Sequence, residues 1–176
     1  MIIMRMDYDN AALMSGRARL RVYGVGDFEV FSGRERYINN PDCSDIPDRG
    51  AIPPGQYYIV DHPPASTGGK IRNFGADLWF GTDHDEWFGL FSSQTMSDHV
   101  YVNGVKRGAF RLHPLRPNGS GESWGCITFF RVSDFKTVRN ALINVRKTRV
   151  SSSRNGLMAY GRVDVRGKSD FDKCSR

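Results

Sequence analysis

The sequence contains no apolar run approaching the roughly 18 residues that read as a membrane-spanning helix, so membrane insertion is not expected. Its opening Met1-Ile2-Ile3-Met4 breaks into charge at Arg5 and Asp7, too short for a signal-peptide core. The expectation is a protein made in a cytoplasm without a signal peptide and carried elsewhere by other means. Cysteine is scarce: Cys43, Cys126 and Cys174 form no CxxC, and no HxxxH accompanies them, so neither a metal site nor any other cofactor is expected. For a reducing compartment of synthesis, a disulfide framework is not expected either. Internal repeats, low-complexity tracts and helix-turn-helix, zinc-finger or RNA-recognition signatures are all missing, which argues against a nucleic-acid partner.

What is present fills one domain: 176 residues, 39% hydrophobic and 25% charged. The net charge of +6 hides a gradient, because residues 1–100 carry 9 basic and 14 acidic side chains and residues 101–176 carry 16 and 5. A cationic surface facing an anionic partner follows, with nucleic acid, a membrane surface and an acidic wall polymer as the options charge alone leaves open.

Residues 1–17 lack clear periodicity and read as an N-terminal lead-in, residues 18–166 as the folded domain, and residues 167–176 as a polar, frayed tail. Leu20 and Val22 alternate with Arg19 and Arg21, predicting two strands over residues 18–31 around the turn Gly24-Val25-Gly26-Asp27. Further strands are predicted at residues 57–60, 78–80, 87–91, 109–113, 126–130 and 157–165, with a long Pro/Gly/Ser loop at 61–77. One helix is predicted over residues 133–146, capped by Ser133, with Phe135, Val138, Leu142 and Val145 on one stripe. The fold class is mainly β (α+β) with one main helix after the cysteine strand.

The chemistry concentrates in Phe110-Arg111-Leu112-His113-Pro114 and, after a twelve-residue connection running from Pro114 to Gly125, in Cys126 within Ser123-Trp124-Gly125-Cys126-Ile127-Thr128. Alternate side chains of a strand share a face, so Arg111 and His113 point one way and Cys126 and Thr128 point one way, each backed by apolar neighbours. If the two strands are adjacent, His113 and Cys126 meet on one polar surface. An imidazole that takes the thiol proton turns cysteine into a nucleophile, and Gly125, without a Cβ, lets the N–H groups of Gly125 and Cys126 line an oxyanion hole. Taken singly, a free cysteine is more often a small buried hydrophobe, and a lone histidine a satisfied core or surface residue. Cys43, among Asp42, Asp45 and Asp48, reads as structural or incidental, and Cys174 as irrelevant to the site.

These residues resemble the L,D-transpeptidase (YkuD-like) catalytic domain, whose signature is a histidine, a connection, and then Ser-x-Gly-Cys followed by a hydrophobic residue. Gly50-Ala51-Ile52-Pro53-Pro54-Gly55-Gln56-Tyr57 resembles that family's upstream strand entry. The order "IPPGxYYIVD", "WFxLF", "RGxFRLHP" and "SxGCIT" is similar to a subgroup of antibacterial toxins delivered by type VI secretion. The resemblance spans residues 20–165 and implies a YkuD-like β-sandwich or barrel-like catalytic domain. It implies Cys126 as nucleophile, His113 as general base, Gly125 and Cys126 as oxyanion donors, Ser123 shaping the loop, and the main-chain carbonyl of Trp124 as third element. Many relatives carry His where Trp124 stands and Asn where Thr128 stands. The implied substrate is the peptidoglycan stem tetrapeptide, cleaved or exchanged at the D-Ala after meso-diaminopimelate. Arg111, Arg116 and Arg131, with Thr128, are the candidates to hold its carboxylates. The implied partners are a secretion apparatus and a cognate immunity protein, with action in a target cell's periplasm. A cysteine amidase of the NlpC type places cysteine before histidine, and a sortase-like enzyme needs a longer separation. The alternative from another class is a non-catalytic cationic module that binds cell wall or nucleic acid.

Overall fold

The computed structural model describes residues 1–63, 86–115 and 123–175. In chain order it holds β1 (Ile2–Asp7), α1 (Asn10–Ser15), β2 (Ala18–Val22), β3 (Gly26–Phe31), β4 (Gly55–Asp61) and β5 (Phe88–Ser92). There follow β6 (His99–Val102), β7 (Val105–Gly108), β8 (Arg111–Pro114), β9 (Ile127–Phe129), α2 (Val132–Ile143), β10 (Thr148–Arg149), β11 (Met158–Ala159) and β12 (Gly161–Arg166). Eight strands close a barrel in the order β1-β12-β4-β5-β8-β9-β3-β2, while β6-β7 and β10-β11 are two-stranded additions. The architecture is mainly β with one main helix behind the cysteine strand, as the sequence predicts. Among the described residues no helix is long and apolar enough to cross a membrane. The loop expected at 61–77 beyond Pro63, the strand at 78–80 and Arg116 lie outside the described residues.

Side-chain alternation builds the wall. In β2, Ala18, Leu20 and Val22 are buried while Arg19 and Arg21 face solvent, and β12 buries Val163 and Val165 in the same manner. Removing each such leucine or valine side chain from water contributes roughly 1.5–3 kcal/mol. Helix α2 lays Phe135, Val138 and Leu142 on the barrel, with the Phe135 ring edge-on to Phe129 of β9 at 5.6 Å. Three of the four predicted stripe residues lie on it, but the bounds differ, and the fourth, Val145, falls beyond the last turn. Arg131 is the N-cap, without a side-chain bond, and Ser133 falls inside the first turn.

Three expectations are corrected. The lead-in contains a barrel strand: β1 runs parallel to β12 (Met4↔Val163) and antiparallel to β2 (Met4↔Val22), with Met4 and Met6 fully buried. Its main partner lies at the other end of the chain, so no local pattern announces it. The final strand breaks at Tyr160 into β11 and β12. The tail is not frayed, because Cys174 forms a disulfide with Cys43 across 131 positions. There the Asp170 N–H also donates to Asp42 Oδ1 at 2.7 Å, and Tyr37 and Ile46 pack beside the sulfurs.

A cross-link closing so long a loop restricts the unfolded chain, by up to about 5 kcal/mol in the chain-entropy account. Reduction, or Cys174→Ala, is expected to lower the urea midpoint with little change in the native far-UV spectrum. An unchanged midpoint would show that the link carries no stability.

Candidate functional site

The site is built where β8 meets β9. The two strands are parallel, with Leu112 opposite Ile127 and His113 opposite Thr128. Leu112 and Ile127 point into the core at 0% exposure and fix the parity of both strands. Continuing the register one residue toward the N-terminus sets Cys126 opposite Arg111. His113 and Cys126 therefore lie on one face of neighbouring strands as diagonal neighbours.

The imidazole is held on three sides. Its Nδ1 lies 2.9 Å from the Pro114 carbonyl, and a carbonyl only accepts, so Nδ1 carries the proton and Nε2 presents its lone pair. Nε2 lies 3.3 Å from Thr128 Oγ1. The Trp87 indole stacks on the ring at 4.4 Å with planes 20° apart, and the His62 ring lies 6.3 Å from the indole in a T-shaped arrangement. Trp87, Pro114 and Thr128 thus define ring plane, tautomer and lone-pair direction. Thr128, expected among the substrate contacts, is fully buried beside His113.

Cys126 is 1% exposed and is the free cysteine. Burial pushes its thiol up to about 11, against the opposing pull of the Arg111 cation and of backbone hydrogen bonds from Arg111 and Trp124. The sulfur lies 4.0 Å from the Ala109 carbonyl. At rest the group is a protonated thiol rather than a standing thiolate.

The turn before the cysteine is pinned by Ser123. Its Oγ donates to the Cys126 carbonyl at 2.7 Å and accepts from the Gly33 N–H at 3.2 Å, while fully buried. Gly125 adopts φ +93°, a conformation L side chains rarely take. A methyl group there would stand 2.8 Å from Arg107 Nη2 and 2.8 Å from Phe110 Cε1. Trp124 keeps its backbone beside the sulfur and its indole beneath the Arg34 guanidinium at 5.2 Å.

The arginines fare differently from expectation. Arg111 forks onto Asp98 through two bonds of 2.7 and 2.8 Å and also donates to the Phe110 carbonyl. With its side chain 12% exposed, its guanidinium is engaged by Asp98 beside the sulfur rather than presented to solvent. Arg131 is exposed at the entry to α2. Asp98, Trp87 and Gly33 were not anticipated. The run Gly89-Leu90-Phe91 after Trp87 marks its strand, but only the β5–β8 pairing brings the indole to His113.

In the comparison with known families, the Tlde1 domain matches residues 26–153, a span that contains every described site residue. No curated protein is matched by the chain.

A buried thiol at about 11 reacts through its thiolate fraction. Alkylation of Cys126 by iodoacetamide is expected to quicken about tenfold per pH unit between about pH 7 and about pH 10. Arg111→Met, which removes the nearby cation, is expected to slow it at every pH in that range. A plateau already reached near neutrality would contradict a thiol that rests protonated.

Proposed function

From the premise that the chain belongs to the Tlde1-domain family, a family of type VI secretion effectors, we propose that it is a cysteine-dependent L,D-transpeptidase and L,D-carboxypeptidase of peptidoglycan. Its substrate is the stem tetrapeptide, at the bond between the L-centre of meso-diaminopimelate and the following D-Ala. The observation that carries this reading is the parallel register of β8 and β9, which sets His113 and Cys126 on one face beside a left-handed Gly125.

In the proposed reaction, Cys126 Sγ attacks the diaminopimelate carbonyl while His113 Nε2 takes the thiol proton. A thiol resting near 11 makes this transfer part of the attack rather than a step completed beforehand. The tetrahedral oxyanion sits against the N–H groups of Gly125 and Cys126. Collapse breaks the C–N bond, and His113 returns the proton to the departing D-Ala amine. The acyl group stays on sulfur as a thioester. Water releases it in carboxypeptidase action; an amine, such as a free D-amino acid, releases it in exchange or transpeptidation. The Trp124 carbonyl is proposed as a further acceptor in this loop, and Arg131 and Arg116 as cations for substrate carboxylates.

The Cys43–Cys174 disulfide suits work in an oxidising compartment, which supports the target-cell periplasm as the place of action. In the producing cell an immunity protein that blocks the cleft is the simplest safeguard, and the secretion apparatus supplies export.

Purified tetrapeptide muropeptides, with and without a free D-amino acid, test the reading by product mass. Loss of D-Ala, or a mass exchange when the D-amino acid is present, is expected. Cys126→Ala and His113→Ala are each expected to abolish both while the fold survives. Unchanged peptide with the wild-type protein, or full activity in either variant, would refute the assignment. Salt-dependent wall binding that survives Cys126→Ala without any turnover would favour the cationic binding module.

A further inference from the structure

The motif "RGxFRLHP" contains two residues that the proposed chemistry leaves unused, Arg107 and Gly108. Arg107 closes the hairpin of β6 and β7, which turns through Asn103 and Gly104. Its side chain leaves solvent: the residue is 4% exposed. One guanidinium nitrogen, Nη1, donates to the Ser44 carbonyl, and Nη2 donates to the Gly50 carbonyl at 2.9 Å. The guanidinium carbon lies 5.5 Å from the centre of the Phe110 ring. Gly50 admits this approach, because a Cβ there would meet the Cys43 carbonyl at 2.3 Å and Arg107 Nη1 at 2.9 Å. Gly108 admits the hairpin, because a Cβ there would meet the Asp98 carbonyl at 2.4 Å.

Nη2 is also the atom that a side chain on Gly125 would strike at 2.8 Å, with Phe110 Cε1 at the same distance. The peptide before the sulfur therefore rests on a planar, doubly anchored cation and an aromatic ring. Residues 44–50, which hold that cation, are fastened in turn. Cys43 is tied to Cys174, and Asn103 Nδ2 donates to Asp45 Oδ2 at 2.9 Å.

We propose that Arg107 is a positioning residue for acyl transfer: anchored on Ser44 and Gly50, its guanidinium backs Gly125 and so aims the N–H groups of Gly125 and Cys126 at the developing oxyanion. This rests on Cys126 acting as the nucleophile. Lysine cannot replace it, since a single ammonium lacks the planar fork that reaches both carbonyls. The role differs from general support of the fold because it acts on the direction of two N–H groups and not on access to the sulfur.

The test uses the full chain with Arg107→Lys and a milder variant, Asn103→Gly, which removes the Asn103–Asp45 bond to the segment that anchors Arg107 while suiting the positive φ of the turn. For Arg107→Lys, kcat on tetrapeptide muropeptides is expected to fall about 100-fold. KM and the rate of Cys126 alkylation are expected to stay within about twofold, because neither depends on oxyanion geometry. Asn103→Gly is expected to lower kcat in the same sense, by about threefold, and it serves as the test if Arg107→Lys does not fold. Unchanged kcat in folded variants overturns the inference. A kcat loss matched by faster alkylation of Cys126 overturns it too, because that is a loosened core. If the wild-type protein leaves muropeptides intact, the proposed function fails on its own, and the amide ¹⁵N resonance of Gly125 decides the inference. A resonance moved in Arg107→Lys supports the positioning role, and one left in place overturns it.

Discussion

The parallel pairing of β8 with β9 is the constraint on which the site depends. In a β ladder a slip of one residue turns every side chain to the other face. Such a slip would carry Cys126 into the core and Ile127 out of it. Two apolar side chains, Leu112 and Ile127, hold the register from inside, and the contact between Phe129 and Phe135 holds β9 against α2. Because the eight strands close on themselves, neither β8 nor β9 is an edge, and both are gripped on two sides. The geometry of a two-residue site is thereby set by the packing of a whole barrel.

That geometry solves half of a nucleophile's problem and leaves the other half to the substrate. Burial keeps the Cys126 thiol protonated, while the Pro114 carbonyl keeps His113 in the tautomer whose Nε2 can accept. A charged thiolate–imidazolium pair in so dry a place is costly to form in advance. In the proposed reaction, a concerted transfer postpones that cost until an electrophilic carbon arrives to share it. The stacking of Trp87 on His113 fits this picture, since an imidazole shielded on its face exchanges less readily with water and keeps its plane.

Much of the site was legible because it depends on parity, and parity is local. The alternation of Phe110, Leu112 and Ile127 with Arg111, His113, Cys126 and Thr128 states the face of each side chain before any partner strand is known. The hidden features are those whose partners are distant in the chain. Strand β1 has two buried methionines, weak as a strand signal, and its parallel partner β12 begins at Gly161. The disulfide spans 131 positions, and the compartment in which a chain is made says nothing of the one in which it works. The hairpin of β6 and β7 had a local signal in Asn103-Gly104, a pair that favours tight hairpin turns, with Tyr101-Val102 before it and Val105 after it. Spacing also cannot tell a cation offered to a ligand from one consumed by the fold. Only the approach of Asp98 to Arg111, and of the Ser44 and Gly50 carbonyls to Arg107, decides that.

The last point changes the meaning of the charge gradient. Of the cations in the basic half, Arg107 is buried on main-chain carbonyls, Arg111 is forked onto Asp98, and Lys147 bonds Asp61 at 2.7 Å. Among the described residues, Arg107 and Arg111 are thus held by the fold and offer a ligand little. The exposed remainder includes Arg131, Lys136, Arg146, Arg149 and Arg154, along α2 and the segment that follows it. Charges at the surface act over about 8–10 Å at ordinary ionic strength and lose their reach as salt rises. They suit attraction of an anionic polymer toward the protein and not the choice of one peptide bond within it. In the proposed reaction, selection of the scissile bond falls instead to short-range features, the Gly125 turn and the plane of His113, where a displacement of about 1 Å outweighs the difference that one surface arginine makes.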